Sequence, residues 1–124
     1  MAKLTREQIA ERLQTAAVTV AASRTALFAA VDKGKIRYVV GIILIGDGTT
    51  SRTVHIEKLE ADGTTYTSKF PYVPIAPADV RQLPPSGFDI ENPILTLEDS
   101  TRLYATANAG TPYAVVIYWD NEIP

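Results

Sequence analysis

Residues 36–70, IRYVVGIILIGDGTTSRTVHIEKLEADGTTYTSKF, decide the fold. The stretch from Ile36 to Ile45 is dominated by β-branched and aromatic residues, the composition a pleated strand selects. Its near-continuous apolarity predicts burial on both faces, or a central place in a sheet. Gly41 interrupts it and predicts a bulge or the close approach of another group. Residues 46–51, GDGTTS, form a polar loop. From Arg52 to Leu59 the pattern alternates: Val54, Ile56 and Lys58 face one way, and Thr53, His55 and Glu57 the other. Ala61-Asp62-Gly63 then turns the chain, Asp-Gly being the strongest short hairpin signal. Thr64 to Phe70 returns as a strand rich in Thr and Tyr.

Working upstream, Asp32-Lys33-Gly34-Lys35 reads as a turn. Leu27 to Val31 is a short apolar piece, and Val18 and Val20 alternate with Thr19 as in a strand. The N-terminus is different. Thr5 is a good N-cap, and Gln8 three residues later completes a capping box. Leu4 and Ile9 have the spacing of a hydrophobic staple, and Ile9 and Leu13 share one helix face. About three turns of helix are marginal alone in water, so this segment must dock on its own domain, a neighbouring subunit or a larger assembly.

Downstream, Pro71, Pro74, Pro77, Pro84 and Pro85 fall within fifteen residues. Such a segment is excluded from a central strand or helix interior and is an edge strand or a long ordered connection. Short strands follow at Ile94 to Leu97, Leu103 to Ala107 and Ala114 to Trp119. Many short strands with regular turn signals predict an all-β fold: an antiparallel β-sandwich, jelly-roll-like, with a short N-terminal α-helix. A partly closed barrel is the alternative. No helical period separates the strands, which argues against a parallel α/β fold. The expected organisation is a helical arm over residues 1–15 and a sandwich domain over residues 16–124.

The 124 residues suit one domain with a core of its own, and hydrophobic residues at 46% with charged residues at 21% suit a globular class. A net charge of -2 gives no basic field to recruit nucleic acid or anionic lipid. There are no cysteines, which excludes disulfides and Cys-based zinc sites. The apolar run at 39–45 is too short to span a bilayer, which takes about 20 residues. With no signal-peptide pattern at the start, synthesis in a cytoplasm is the expectation.

Chemistry-bearing patterns are sparse. His55 is the only histidine; a metal ligand or general base beside Glu57 is one reading, and a half-exposed strand histidine is the simpler one. Asp47, Asp62 and Asp79 sit beside Gly or Ala as turn formers, without the converging carboxylates a calcium loop needs. Glu57, Glu60, Asp89, Glu91, Glu98 and Asp99 offer many carboxylate pairs and no distinctive one for glycoside hydrolysis. Gly46-Asp47-Gly48 lacks the Lys-Ser/Thr of a phosphate loop, and no serine has a nucleophile-elbow context. The expectation is no catalytic residue, no metal and no cofactor.

The aromatics fall in two groups, Tyr66, Phe70, Tyr72 and Phe88 around the prolines, and Tyr104, Tyr113, Tyr118 and Trp119 near the end. They suit core or a subunit contact, and less readily a sugar-stacking platform. Tyr118 and Trp119 are consecutive and so face opposite sides of the last strand. One packs inside; the other is exposed or covered by a neighbour.

Residues 33–56, KGKIRYVVGIILIGDGTTSRTVHI, resemble a strand–loop–strand pattern of small β-sandwich structural proteins of tailed phages and other viruses. Residues 92–119, NPILTLEDSTRLYATANAGTPYAVVIYW, resemble their closing hairpin. The long proline-rich stretch and the N-terminal helix depart from the pattern. The resemblance implies a non-enzymatic virion component made in the host cytoplasm: a decoration, vertex or head–tail protein. It implies a homo-oligomer, a trimer by preference, seated on the major capsid or another virion protein. The expected interaction residues are Ile9 and Leu13 of the arm with Tyr72, Phe88, Tyr118 and Trp119. The alternative is a carbohydrate- or receptor-binding module, with Tyr72, Phe88 or Trp119 as the stacking platform. A small hydrolase or isomerase on the same fold ranks third, since such barrels carry a histidine metal cluster.

Overall fold

The computed structural model describes residues 4–48 and 50–123. Residues 1–3 of the expected arm, Thr49 of the polar loop and Pro124 lie outside the described residues. The elements are α1 (Arg6–Arg12), β1 (Gln14–Thr19), β2 (Thr25–Ala26), β3 (Lys35–Ile45), β4 (Arg52–Leu59), β5 (Tyr66–Ile75), β6 (Val80–Leu83), β7 (Leu95–Leu97), β8 (Arg102–Ala107) and β9 (Tyr113–Glu122).

Two antiparallel sheets face each other. One runs β1-β9-β3-β6, with β7 also pairing β3; the other runs β2-β8-β4-β5. Six of the eight connections cross from one sheet to the other, β4–β5 and β6–β7 being the exceptions, and the result is the expected antiparallel β-sandwich with a short N-terminal helix. β3 is central, between β9 and the β6 and β7 pair, which explains its apolar run: Ile42 and Leu44 fill the interior while Val40 is buried on the outside. Val54 and Ile56 of β4 meet Leu97 and Leu103 in the same interior. No helix among the described residues is long and apolar enough to cross a membrane.

Local predictions held where the signal was local. Thr5 Oγ1 accepts from Gln8 N at 3.2 Å, and Gln8 Oε1 accepts from Thr5 N at 2.8 Å, closing the capping box. Asp62 Oδ1 accepts from Thr64 N and Thr65 N at 2.8 and 2.9 Å, and Gly63 takes φ +76°, so the β4–β5 turn has its two defining residues. At Gly41 the β3–β9 register slips by one, so Val40 and Gly41 face the single position Ile117. The ring of Phe88 lies where a Cβ at residue 41 would stand, so the predicted bulge and the predicted close approach coincide.

The proline-rich segment differs in part from expectation. β5 continues beyond Phe70 through Pro71 and Pro74 to Ile75. It pairs only with β4, so its outer edge needs no N–H and tolerates proline. Val80–Leu83 then forms β6, a strand not evident in the sequence.

Charges are placed at strand ends and edges. Lys58 Nζ lies 2.7 Å from Glu98 Oε1 and 3.2 Å from Glu60 Oε1. Glu98 and Glu57 are held below the ordinary 4.5, chiefly by hydrogen bonds from Lys58 and Arg24 respectively; burial opposes both. Hydrogen bonds from Thr65 and Thr64 bring Asp62 from 3.8 down to about 2. A carboxylate lowered by folding adds stability above its unfolded pKa and loses it as pH falls through the folded one. The urea midpoint is therefore expected to be flat from about pH 7 to about 5.5 and to fall steadily below about 4.5. A midpoint that held or rose down to pH near 2 would contradict these pairings.

Candidate functional site

The two outer faces of the sandwich are unlike. On the β1-β9-β3-β6 sheet, the outward side chains around Trp119 are covered by the chain itself. Ile9 of α1 packs with Val40 and Trp119 into a second cluster, joined by Leu4, Leu13, Tyr38, Phe88 and Ile90. Tyr38 stacks on Trp119 with ring centroids 4.5 Å apart. The staple pair Leu4 and Ile9 thus fixes the helix over the indole.

Four of the six expected contact residues, Ile9, Leu13, Phe88 and Trp119, lie in this cluster. Ile9 is buried and Leu13 half-buried in their own domain, so docking on a partner through them would first uncover Trp119. Trp119 is buried in this cluster, which closes it as a stacking platform, and Phe88 is half-buried against it. Tyr118 points inside, as alternation demands, with its ring 5.3 Å from that of Phe28. The cover over Trp119 is the chain's own helix rather than a neighbour. Of the six residues expected to make contacts, Tyr72 alone is largely exposed, at 74%, and it lies on the other sheet.

That other sheet, β2-β8-β4-β5, carries a bare outer face. Thr53, His55 and Glu57 of β4 point outward as the alternation predicts, since Val54 and Ile56 are fully buried. Tyr104 and Thr106 of β8 stand beside them, with Ala105 and Ala107 inside. On β5 the register slips between the pairs Val54↔Val73 and Ile56↔Phe70, so Pro71 and Tyr72 face His55 alone. The bulge sets Tyr72 at φ +55° and lays its ring on the His55 imidazole, centroids 5.7 Å apart and 21° from parallel. His55 Nε2 is also 2.8 Å from Ser68 Oγ.

At the far side Arg24, just before β2, reaches across the face. Its Nε and Nη2 donate to the two carboxylate oxygens of Glu57 at 3.1 and 3.3 Å, and its guanidinium lies 3.6 Å above the Tyr66 ring. Tyr66 meets Tyr104 edge-on at 5.6 Å. Between Tyr72 and the Arg24–Glu57 pair lies an open depression of about 410 Å³, floored by Thr53, His55 and Thr106 and bordered by Asn108. His55 and Glu57 are neighbours by alternation, whereas Arg24 joins them from 33 positions away with no local signal to mark it. The Ser68–His55 contact is a hydrogen bond on an open face, and Glu57 is turned to Arg24 rather than to His55. No group of three or more His, Cys, Asp or Glu side chains converges among the described residues.

No family model matches the chain, and no curated protein does. Among solved structures, one of the infectious bursal disease virus T13 particle is similar at 11% identity and TM-score 0.47, over 87% of this chain and 35% of that one. The Dit hub protein of the adsorption apparatus of phage SPP1 is similar at 13% identity and TM-score 0.46, over 88% and 49%. A Bacillus endospore appendage pilus protein is similar at 12% identity and TM-score 0.42, over 86% and 83%. This chain thus spans about a third of the length of the first and half of the second. The fold assignment rests on the strand pairing and not on these likenesses.

Proposed function

We propose that the chain is a non-enzymatic structural component of a virus or phage particle, acting through subunit contacts. The observation that carries the assembly part is the β1 edge. Three of the four sheet edges are unsuited to pairing. β2 has two residues, β5 carries Pro71 and Pro74, and the last edge is divided between β6 of four residues and β7 of three. β1, QTAAVT, has six residues with no charge and no proline. It pairs with β9 on one side, and among the described residues no other backbone hydrogen bond reaches it. A clean edge is a template for another strand. Beside it, on the outer face, Thr19 lies opposite Tyr113, which is 41% exposed, and Ala17 opposite Val115.

The occupant this edge fits is a second copy, β1 against β1 antiparallel, continuing the sheet across two subunits. Such a contact is isologous and closes as a dimer, which replaces the trimer expected from the resemblance. The part in the virion, seated on a capsid or other particle protein as a decoration, vertex or head–tail piece, is supported by the likeness of residues 33–56 and 92–119 to small virion sandwiches.

The test is light scattering after size exclusion on the full chain and on a Thr15→Lys, Ala17→Lys variant. Both side chains are exposed, so the fold tolerates the charges, which would face each other across the dimer. The native chain is expected to be a dimer at micromolar concentration and the variant a monomer. A monomeric native chain, or a variant of unchanged mass, would overturn the edge reading.

A further inference from the structure

We propose that the depression between Tyr72 and the Arg24–Glu57 pair is a binding site for a neutral saccharide. It lies on the face of the β2-β8-β4-β5 sheet, away from β1, and stands whether or not the chain assembles.

The aromatic wall is built rather than incidental. A tyrosine at φ +55° sits in a backbone region that costs on the order of 1–3 kcal/mol and persists only where its surroundings impose it. Here a bulge imposes it, with proline on one side at residue 71 and again at 74. The result is a ring backed by His55 and otherwise open to water. Backing matters, because a ring already held in place loses little freedom when a ligand stacks on it.

The opposite side supplies polar groups in a compensated pair. Glu57 accepts and Arg24 donates, and each neutralises the other at 3.1 Å. A phosphate or sulfate would have to compete with Glu57 for the guanidinium and would meet a carboxylate beside it. An apolar ligand would strip water from the Thr53 and Thr106 hydroxyls and from the outer edge of the ion pair without replacing it, a penalty of about 1–3 kcal/mol for each group left unsatisfied. A neutral polyol satisfies both halves, since each hydroxyl donates and accepts. One face of a pyranose ring is mostly C–H and suits the Tyr72 ring, while its rim of hydroxyls suits the floor. A volume of about 410 Å³ is at the low end of ligand pockets, about 300–1,000 Å³, and so fits about one or two sugar rings rather than a folded partner.

The experiment is an NMR titration of the full chain with neutral monosaccharides and disaccharides to tens of millimolar, alongside their sulfated and phosphorylated counterparts. The expected result is shift changes at Thr53, His55, Tyr72 and Thr106 with at least one neutral sugar. Tyr72→Ala is expected to weaken that binding about tenfold or more, and Tyr72→Phe, which keeps the ring, by no more than about twofold. The exposed position leaves the fold intact, and the remaining resonances report on that directly. The proposal is overturned if no neutral sugar shifts these residues, if shifts map elsewhere, if only the charged counterparts bind, or if Tyr72→Ala binds as the native chain does.

Discussion

Asp120→Ala is expected to lower the stability of the sandwich by about 3 kcal/mol and its melting temperature by about 10 °C. Asp120 of β9 lies directly across from Arg37 of β3, and the two make a bidentate pair, Nε to Oδ1 at 2.7 Å and Nη2 to Oδ2 at 2.8 Å. Their side chains are 10% and 13% exposed, and the guanidinium also sits over the rings of Tyr118 at 4.1 Å and Phe28 at 4.6 Å. Removing the carboxylate leaves a cation among aromatics without its hydrogen-bonded partner and with only the weaker field of Asp32 to offset its charge. The direct cost of breaking a buried pair is about 3–5 kcal/mol; the pair's residual exposure sets the lower value. Replacing both partners tests the cause. Arg37→Met with Asp120→Leu removes the charge and keeps the volume, and is expected to be within about 1 kcal/mol of native or above it. If the double variant is as damaged as Asp120→Ala, the cation–aromatic packing holds this end of the sandwich and the ion pair does not. The measurement is urea unfolding of all three proteins.

That pair also shows what kind of information a sequence withholds. Arg37 and Asp120 are 83 positions apart, and nothing local to either marks the other. By contrast the capping box at Thr5 and Gln8, the Asp62-Gly63 turn and the outward stripe Thr53, His55, Glu57 were legible because each depends on residues within a few positions. The burial of Tyr118 and Trp119 on opposite faces followed from alternation, but what covers Trp119 did not, since the helix reaches it only once β9 and β3 are paired. The prolines left two readings, an edge strand or a long ordered connection, and both occur: Pro71 and Pro74 lie in the edge strand β5, bonded on one side, while Pro77, Pro84 and Pro85 lie outside the strands. The bulge beside Pro71 gives Tyr72 its exposure. The depression it borders draws Arg24, Glu57 and Tyr72 from three separate stretches of chain, so the sequence could show its members but not their meeting.

Gly41→Ala, the addition of one methyl group, is expected to cost about 2–3 kcal/mol. The bulge alone does not require glycine, since Gly41 is not among the residues with positive φ and an alanine could adopt its backbone. What excludes a side chain is the Phe88 ring, which occupies the Cβ position and, with Ile9 and Ile90, roofs Val40 and Trp119. A Cβ there forces the ring aside and opens the cover over the indole. Two readouts separate this account from simple backbone strain. Trp119 is the only tryptophan, so its fluorescence reports its surroundings, and Gly41→Ala should shift the emission to the red as water reaches it. In a Phe88→Ala background the room already exists, so Gly41→Ala should then cost less than about 1 kcal/mol, and the two substitutions should be strongly non-additive. Additivity within about 0.5 kcal/mol, with unchanged emission, would mean that the backbone of the bulge and not the ring selects glycine. Non-additivity would show that the outer cluster is a second packed layer closed by residues 9, 41, 88 and 119.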